Sequence, residues 1–260
     1  HTYSWRECGE QVRRMAAYLR SLNYAPGSKI AILSKNCVHW MLSDYAIWMA
    51  GYVSVPMYPN MAPTTVRQIL DHSESKLLFV GKLDDWEYLK PGVPETLPCI
   101  AYPFYSVPGF PTWDDIVSKT DPITDNPDFP MDNLCTIMYT SGTTGVPKGV
   151  MHKFYNFAYA AEMAFPALNI DNTAIFFSYL PMCHIAERLL IEMGSLYTGG
   201  QVSFAESLDT FPKNLQDTAP TIFLAVPRIW AKFQEKILEK ITQKKLDRML
   251  KIPIIKGVVK

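Results

Sequence analysis

The stretch Leu134-Cys-Thr-Ile-Met-Tyr-Thr140, running on into Ser141-Gly-Thr-Thr-Gly-Val-Pro-Lys-Gly149, decides how the rest of the chain is read. Its first seven residues are mostly apolar, which predicts a strand. The residues that follow are small: hydroxyls at Thr140, Ser141, Thr143 and Thr144 lie beside glycines at 142, 145 and 149. Glycines let successive backbone N–H groups converge on an anion, and short hydroxyls add donors without bulk. Lys148 supplies a compact positive charge, and Pro147 stiffens the chain just before it. Together these suit a polyphosphate. Two common nucleotide signatures do not fit, because Pro147 stands where a Walker loop needs glycine and no G-x-G-x-x-G occurs. The competing reading is a hydroxyl-rich linker, but a linker rarely follows an apolar strand and rarely closes on Pro-Lys-Gly.

Outward from this strand, helical and strand patterns alternate. Ser4 and Glu7 form a capping-box signature ahead of Val12, Met15, Ala16 and Leu19 at helical spacing. Lys29 to Leu33 reads as a buried strand, and Asn36 opens a helix through Met41, Tyr45 and Trp48 that ends at Gly51. Tyr52 to Tyr58 is a strand, Thr64 or Thr65 caps a helix to Ser73, and Lys76 to Val80 is the next strand. Prolines and acids crowd residues 83–132, which predicts a long surface excursion with at most a short strand near Cys99 and a short helix after Thr112. Further strands are expected at Thr173–Leu180, Gln201–Ala205 and Thr221–Val226. The alternation predicts an α/β class with largely parallel sheets flanked by helices. Ligands of such sheets gather at the carboxyl ends of the strands.

Composition narrows the partners. The 260 residues, 48% apolar and 19% charged, are ordinary globular protein with enough chain for a core. Acids and bases balance at 25 each, so no overall charge points to nucleic acid. The segment from Lys232 onward is the exception, where eight lysines and Arg248 outnumber Glu235, Glu239 and Asp247. There Phe233, Ile237 and Ile241 fall on one helical stripe and Lys236, Lys240 and Lys244 on another. This reads as a solvated helix packed on the domain, or as a peripheral contact with anionic lipid. The five cysteines are widely spaced with no C-x-x-C pair, which favours reduced thiols and a cytoplasmic location. The apolar run Tyr45–Tyr58 is broken by Gly51, Ser54 and Pro56 and is too short to span a bilayer. No secretory signal is visible.

Tyr139 to Gly149 resembles the signature loop of the adenylate-forming superfamily, which holds acyl-CoA synthetases, firefly-type luciferases and peptide-synthetase adenylation domains. Thr2-Tyr3-Ser4-Trp5 resembles the family's opening motif and Met49-Ala-Gly-Tyr-Val-Ser-Val-Pro56 its second, so the resemblance covers essentially the whole chain. It implies a two-step ligase: a carboxylate attacks the α-phosphate of ATP to give an acyl-adenylate and pyrophosphate, and CoA sulfur then displaces AMP. Carried onto this chain, the resemblance puts Thr140, Ser141, Gly142, Thr143, Thr144, Gly145 and Lys148 around the phosphates. It also puts Thr144 beside Mg²⁺ and gives Lys148 a catalytic role.

Tyr179-Leu-Pro-Met-Cys-His-Ile-Ala-Glu-Arg188 follows an expected strand that Pro181 breaks, which leaves His184 near its carboxyl end. A lone histidine is more often a packed or surface residue than a functional one. This segment, however, resembles the long-chain acyl-CoA synthetase form of a family motif, which implies that His184 borders the acyl carboxylate and the phosphates as a catalytic and substrate-binding residue. Glu187 and Arg188 read as capping and solvating the next helix. Ala225-Val-Pro-Arg-Ile-Trp230 predicts a helix starting at Pro227. Trp230 is then a core residue on the pattern alone, or an acyl-tunnel gate by resemblance. The substrates implied are fatty acid, ATP and CoA, with Mg²⁺. A medium-chain or aryl acid ligase and a non-catalytic nucleotide- or acyl-binding module are the alternatives. The family's later Tyr-Gly-x-Thr-Glu motif, its ribose-binding Asp, its hinge and its small carboxy-terminal domain find no match. Residues 1–260 are therefore expected to form part of an amino-terminal ATP- and acyl-binding domain that alone makes no acyl-CoA.

Overall fold

Lys29–Leu33 (β1) sends Ile30 and Ile32 to one face and Ala31 and Leu33 to the other, and all four are fully buried. A strand buried on both sides belongs inside a parallel sheet with helices on both faces. A computed structural model of the protein, describing residues 1–105, 107–140, 147–241, 245 and 248, contains that sheet. Around β1 lie β2 (Val53–Met57), β3 (Leu77–Val80), β4 (Cys99–Ala101), β5 (Leu134–Thr140) and β6 (Lys148–Lys153), in the order β4-β3-β1-β2-β5-β6. Every neighbour pair is parallel except β5–β6.

Two helices cover one face. The first, α1 (Trp5–Ser21), starts at the expected capping box, where Ser4 N–H and Oγ both donate to Glu7, and it buries Val12, Met15, Ala16 and Leu19. The second, α2 (Val38–Met49), is apolar nearly all round because it packs within the same core cluster. The opposite face takes α3 (Pro63–Ser73) and α4 (Trp86–Leu89). Each fully buried aliphatic residue in these layers contributes about 1.5–3 kcal/mol.

Three expectations fail for identifiable reasons. Asn36 does not cap α2, since Cys37 holds that position and the Asn36 side chain is engaged elsewhere. Neither Thr64 nor Thr65 caps α3, which begins at Pro63 because the fixed φ of proline suits the first helical turn. Residues 83–132 are less of a surface excursion than the prolines suggest: α4, β4 and α5 (Trp113–Val117) bury Trp86, Leu89, Trp113 and Ile116 against the sheet. The short strand at Cys99 and the helix after Thr112 are both present, the latter with Thr112 as its cap.

After β6 come α6 (Phe154–Ala167) and β7 (Ile175–Ser178), then α7 (Ile185–Glu187), which passes through a π-helical segment Arg188–Met193 into α8 (Gly194–Thr198). Next are β8 (Gln201–Phe204), which pairs in parallel with β7, and α9 (Phe211–Thr218). The strand expected at Thr221–Val226 does not form among the described residues. Thr221 meets Ile175 twice, its N–H donating to Ile175 O at 3.1 Å and its hydroxyl accepting Ile175 N–H at 2.9 Å, but no strand continues from it. The chain divides into two compact units, residues 1–221 and 222–260, and the second carries α10 (Pro227–Lys240) with Pro227 in its first turn. No described helix is long and apolar enough to cross a membrane.

Candidate functional site

β5 is buried as far as Tyr139 and emerges at Thr140, which is exposed. There the hairpin with β6 begins, with Thr140 opposite Lys148, Tyr139 opposite Gly149 and Met138 opposite Val150. Lys148, the first residue of the edge strand β6, is exposed as well. The hydroxyl of Thr140 and the ammonium of Lys148 therefore stand at the two feet of the glycine-rich loop, at the carboxyl end of a sheet strand. Ser141, Gly142, Thr143, Thr144 and Gly145 lie outside the described residues. Gly149 has a packing role in this hairpin: a Cβ there would come within 2.7 Å of Ile137 Cγ2 and 3.3 Å of the Tyr139 ring. Tyr139 in turn is anchored by a 2.7 Å hydrogen bond between its hydroxyl and His72 Nδ1 in the last turn of α3.

The second half of the site leaves β7 at Ser178. Pro181 turns the chain, and His184 N–H donates to Pro181 O at 2.8 Å. His184 caps α7 with extended backbone, its Nδ1 accepting from Ala186 N–H at 3.2 Å. An imidazole whose Nδ1 accepts carries its proton, when neutral, on Nε2. His184 is exposed, so that Nε2–H is available as a donor.

Glu187 and Arg188 correct the sequence reading. Neither solvates a helix: they are 1% and 0% exposed. Glu187 Oε1 accepts from Ser178 Oγ at 2.8 Å and from Tyr179 N–H at 2.9 Å. Burial raises the Glu187 carboxyl to about 8, against the pull of those hydrogen bonds. Arg188 donates from Nη1 to Thr136 Oγ1 on β5 at 2.7 Å, from Nε to Glu192 Oε2 at 3.0 Å, and from Nη2 to Asp44 on α2. The rings of Trp40, Trp48 and Phe157 surround its guanidinium at 5.3–5.6 Å. Burial opposes the charge on Arg188, but Asp44 and Glu192 outweigh it and hold the guanidinium charged. Two carboxyls against one cation leave one in excess. Burial, then the charge of Asp44, pushes Glu192 well above the usual carboxylate range.

Asn36 completes the arrangement. Its Nδ2 donates to Ser178 Oγ at 2.8 Å and Leu180 O at 2.5 Å, and its Oδ1 accepts from Met182 N–H at 3.1 Å. Sequence reasoning missed Asn36, Asp44, Thr136 and Glu192. The one available signal was Arg188 and Glu192 at i and i+4 inside an otherwise apolar run.

Trp230 belongs to the second unit, on the first turns of α10. It is 51% exposed, so the core reading fails. Its Nε1 donates to Ala225 O at 3.1 Å, and its ring meets Phe223 and Phe233 edge-on at 5.8 and 5.9 Å. A cavity of about 840 Å³ in the first unit lies between α1, α2 and β8, lined by Tyr3, Trp5, His39, Tyr45 and Phe204 among others. None of Thr140, Lys148 and His184 lines it. All five cysteines are unbridged and buried, and burial pushes the Cys183 thiol, next to His184, upward and away from nucleophilic use.

Comparison with known proteins agrees with this architecture. A probable CoA ligase of Humulus lupulus is 27% identical over 265 residues, which cover 92% of this chain and 39% of that protein. Fatty acyl-CoA synthetase B of Dictyostelium discoideum is 28% identical over 245 residues, 87% of this chain and 36% of its own length. The chain thus spans well under half the length of these relatives. A benzoate CoA ligase from Burkholderia xenovorans superposes with a TM-score of 0.78 at 22% identity, over 88% of this chain and 46% of that one, and so shares the fold. The family model for AMP-binding enzymes matches residues 1–257, and the chain belongs to that family.

Proposed function

We propose that the whole protein, of which this chain supplies the phosphate-binding part, activates a fatty acid with ATP and passes the acyl group to CoA. The observation that carries this reading is the pairing of Thr140 with Lys148 at the base of the glycine-rich loop, at the carboxyl end of a sheet strand. Lys148 meets the charge that builds on the departing pyrophosphate, and fixed charge placed where charge develops is the main source of rate in such transfers. Thr140, with Ser141, Gly142, Thr143, Thr144 and Gly145, holds the phosphates. His184 donates Nε2–H to an oxygen of the acyl carboxylate or the α-phosphate, aligning the two for attack. The donors at Thr140 and Lys148 are hydroxyl and ammonium, which suits phosphate oxygens and leaves Mg²⁺ to arrive on the nucleotide, with Thr144 beside it. Bound there, the ion would neutralise phosphate charge.

The fatty-acid assignment draws on the motif from Tyr179 to Arg188 and on relatives named fatty acyl-CoA synthetases. Trp230, with Phe223 and Phe233 beside it, offers an apolar surface for the acyl chain. The reading places the protein in the cytoplasm, with the basic face of α10 able to touch anionic lipid that supplies fatty acid. Co-sedimentation with liposomes should then depend on anionic lipid.

The test of function is ATP–pyrophosphate exchange by the full-length protein with palmitate, octanoate and benzoate supplied in turn. The reading expects palmitate to support the fastest exchange. Benzoate as the best acid would move the protein to the aryl acid ligases, and no exchange with any acid would leave a binding module.

A further inference from the structure

We propose that Asn36, Glu187 and Arg188 are positioning residues, a buried brace that fixes His184 against the strand leading into the phosphate loop. The inference rests on the role given to His184 above. The loop from Tyr179 to Cys183 joins two elements and contains Pro181, so it makes little regular backbone pairing of its own. Its order comes from side chains. The two ends of the Asn36 amide hold backbone on both sides of Pro181: Nδ2 donates to Leu180 O at 2.5 Å and Oδ1 accepts from Met182 N–H at 3.1 Å. Asn36 itself follows the carboxyl end of β1 in the first sheet. Glu187 grips the beginning of the loop through Tyr179 N–H and Ser178 Oγ.

Arg188 ties this assembly to the other half of the site. Its Nη1 reaches Thr136 Oγ1, which in turn donates to Ser54 O on β2 at 3.0 Å. Thr136 lies four residues before Thr140 on the same strand. The His184 carbonyl accepts the N–H groups of both Glu187 and Arg188 at 3.1 Å, so the histidine backbone is bonded directly to the two braced residues. From Arg188 the helix widens into π geometry, a feature frequent at functional sites, and it turns both Arg188 and Glu192 inward.

Stability does not account for this choice of residues. A buried ion pair is often no more stabilising than apolar side chains of similar volume, while the placement it imposes is specific. Ionisable side chains at 0–1% exposure beside an exposed histidine fit a demand for position.

The test is a double-mutant comparison in the full-length protein, read by pyrophosphate exchange and by ring-nitrogen NMR of His184. Glu187→Ala should lower the exchange rate at saturating substrates roughly tenfold, with the KM for ATP within about twofold, because misplacement by a fraction of an ångström costs rate at that scale. Glu187→Gln, which keeps an acceptor at Oε1, should restore most of that rate. In a His184→Ala background Glu187→Ala should cost nothing further, since the brace acts through the histidine. The wild-type His184 ring, when neutral, should be protonated on Nε2, and Glu187→Ala should give a mixture of tautomers. If Glu187→Ala does not fold, Ser178→Ala removes one of the same bonds and carries the same comparison. Leu78→Ala, in the core away from the site, serves as the control for lost stability. A rate loss equal to that of Leu78→Ala, or one that multiplies with His184→Ala, would overturn the brace. If the wild type exchanges pyrophosphate with no acid, the ligase reading fails while the NMR arm still decides the brace: unchanged His184 ring signals in the variants would overturn it.

Discussion

His184 and Arg188 are one helical turn apart and live in opposite surroundings. The histidine is exposed, with one ring nitrogen tied to Ala186 and the other free to donate. The arginine is sealed among three aromatic rings and two carboxyls, bonded to residues that precede it by 52 and 144 positions. The same contrast holds across the molecule: Thr140 and Lys148 are exposed, whereas Asn36, Asp44, Glu187 and Glu192 are buried. Exposed polar groups can meet a substrate but cannot hold themselves still. Buried ones cannot meet a substrate, yet they fix the backbone from which the exposed ones project. The division is between chemistry and geometry, and it can be broken by experiment.

The largest effect should come from Arg188→Ala in the full-length protein. Removing the cation leaves Asp44 buried without its partner, which costs about 3–5 kcal/mol and should appear as a large drop in the denaturation midpoint. His184→Ala should cost about 1 kcal/mol, the loss of its capping bond to Ala186 N–H. If the two losses were similar, the contrast would collapse.

The buried set should also carry a pH dependence. The Glu187 carboxyl is raised from 4.5 to about 8 in the folded protein, so the folded state binds a proton more tightly than the unfolded chain. Its contribution to stability is complete below the unfolded value and is lost as pH rises toward about 8, with a slope of at most about 1.4 kcal/mol per pH unit. Urea unfolding between these limits should show that slope in the wild type and a flatter one in Glu187→Gln.

A smaller loss is expected at the hairpin. Gly149→Ala places a Cβ against Ile137 and Tyr139, an overpacking that should cost about 1–3 kcal/mol and shift the Thr140–Lys148 rung. Exchange rate and midpoint should fall together, since this glycine serves geometry from within the motif. The smallest effect belongs to Ser4→Ala, which removes the α1 cap for about 1 kcal/mol and should leave exchange kinetics unchanged.

How far the molecule was legible depended on whether the deciding partner was local. β1, β2, β3, β5 and α1 announce themselves through period and caps, signals contained within a few residues. The loop at Thr140–Lys148 stood out for the same reason. β6 was missed because an edge strand needs little apolar surface, and Lys148-Gly-Val-Met-His-Lys153 looks like the end of a loop. Asn36 has the composition of a helix cap, and only a segment more than 140 residues later makes it a clamp. Glu187 and Arg188 match charges at a helix start, until Asp44 and Thr136 arrive from distant elements. Resemblance could assign His184 a role but could not say what holds it.

Lys148→Ala in the full-length protein tests the division most directly, with pyrophosphate exchange and the thermal midpoint measured on the same preparation. Exchange at saturating palmitate should fall about 10²–10³-fold, the size of effect seen when one charge-stabilising donor is removed. The midpoint should stay where it is, because Lys148 is exposed on an edge strand. An unchanged exchange rate, or a loss of rate explained by a matching loss of stability, would contradict the account.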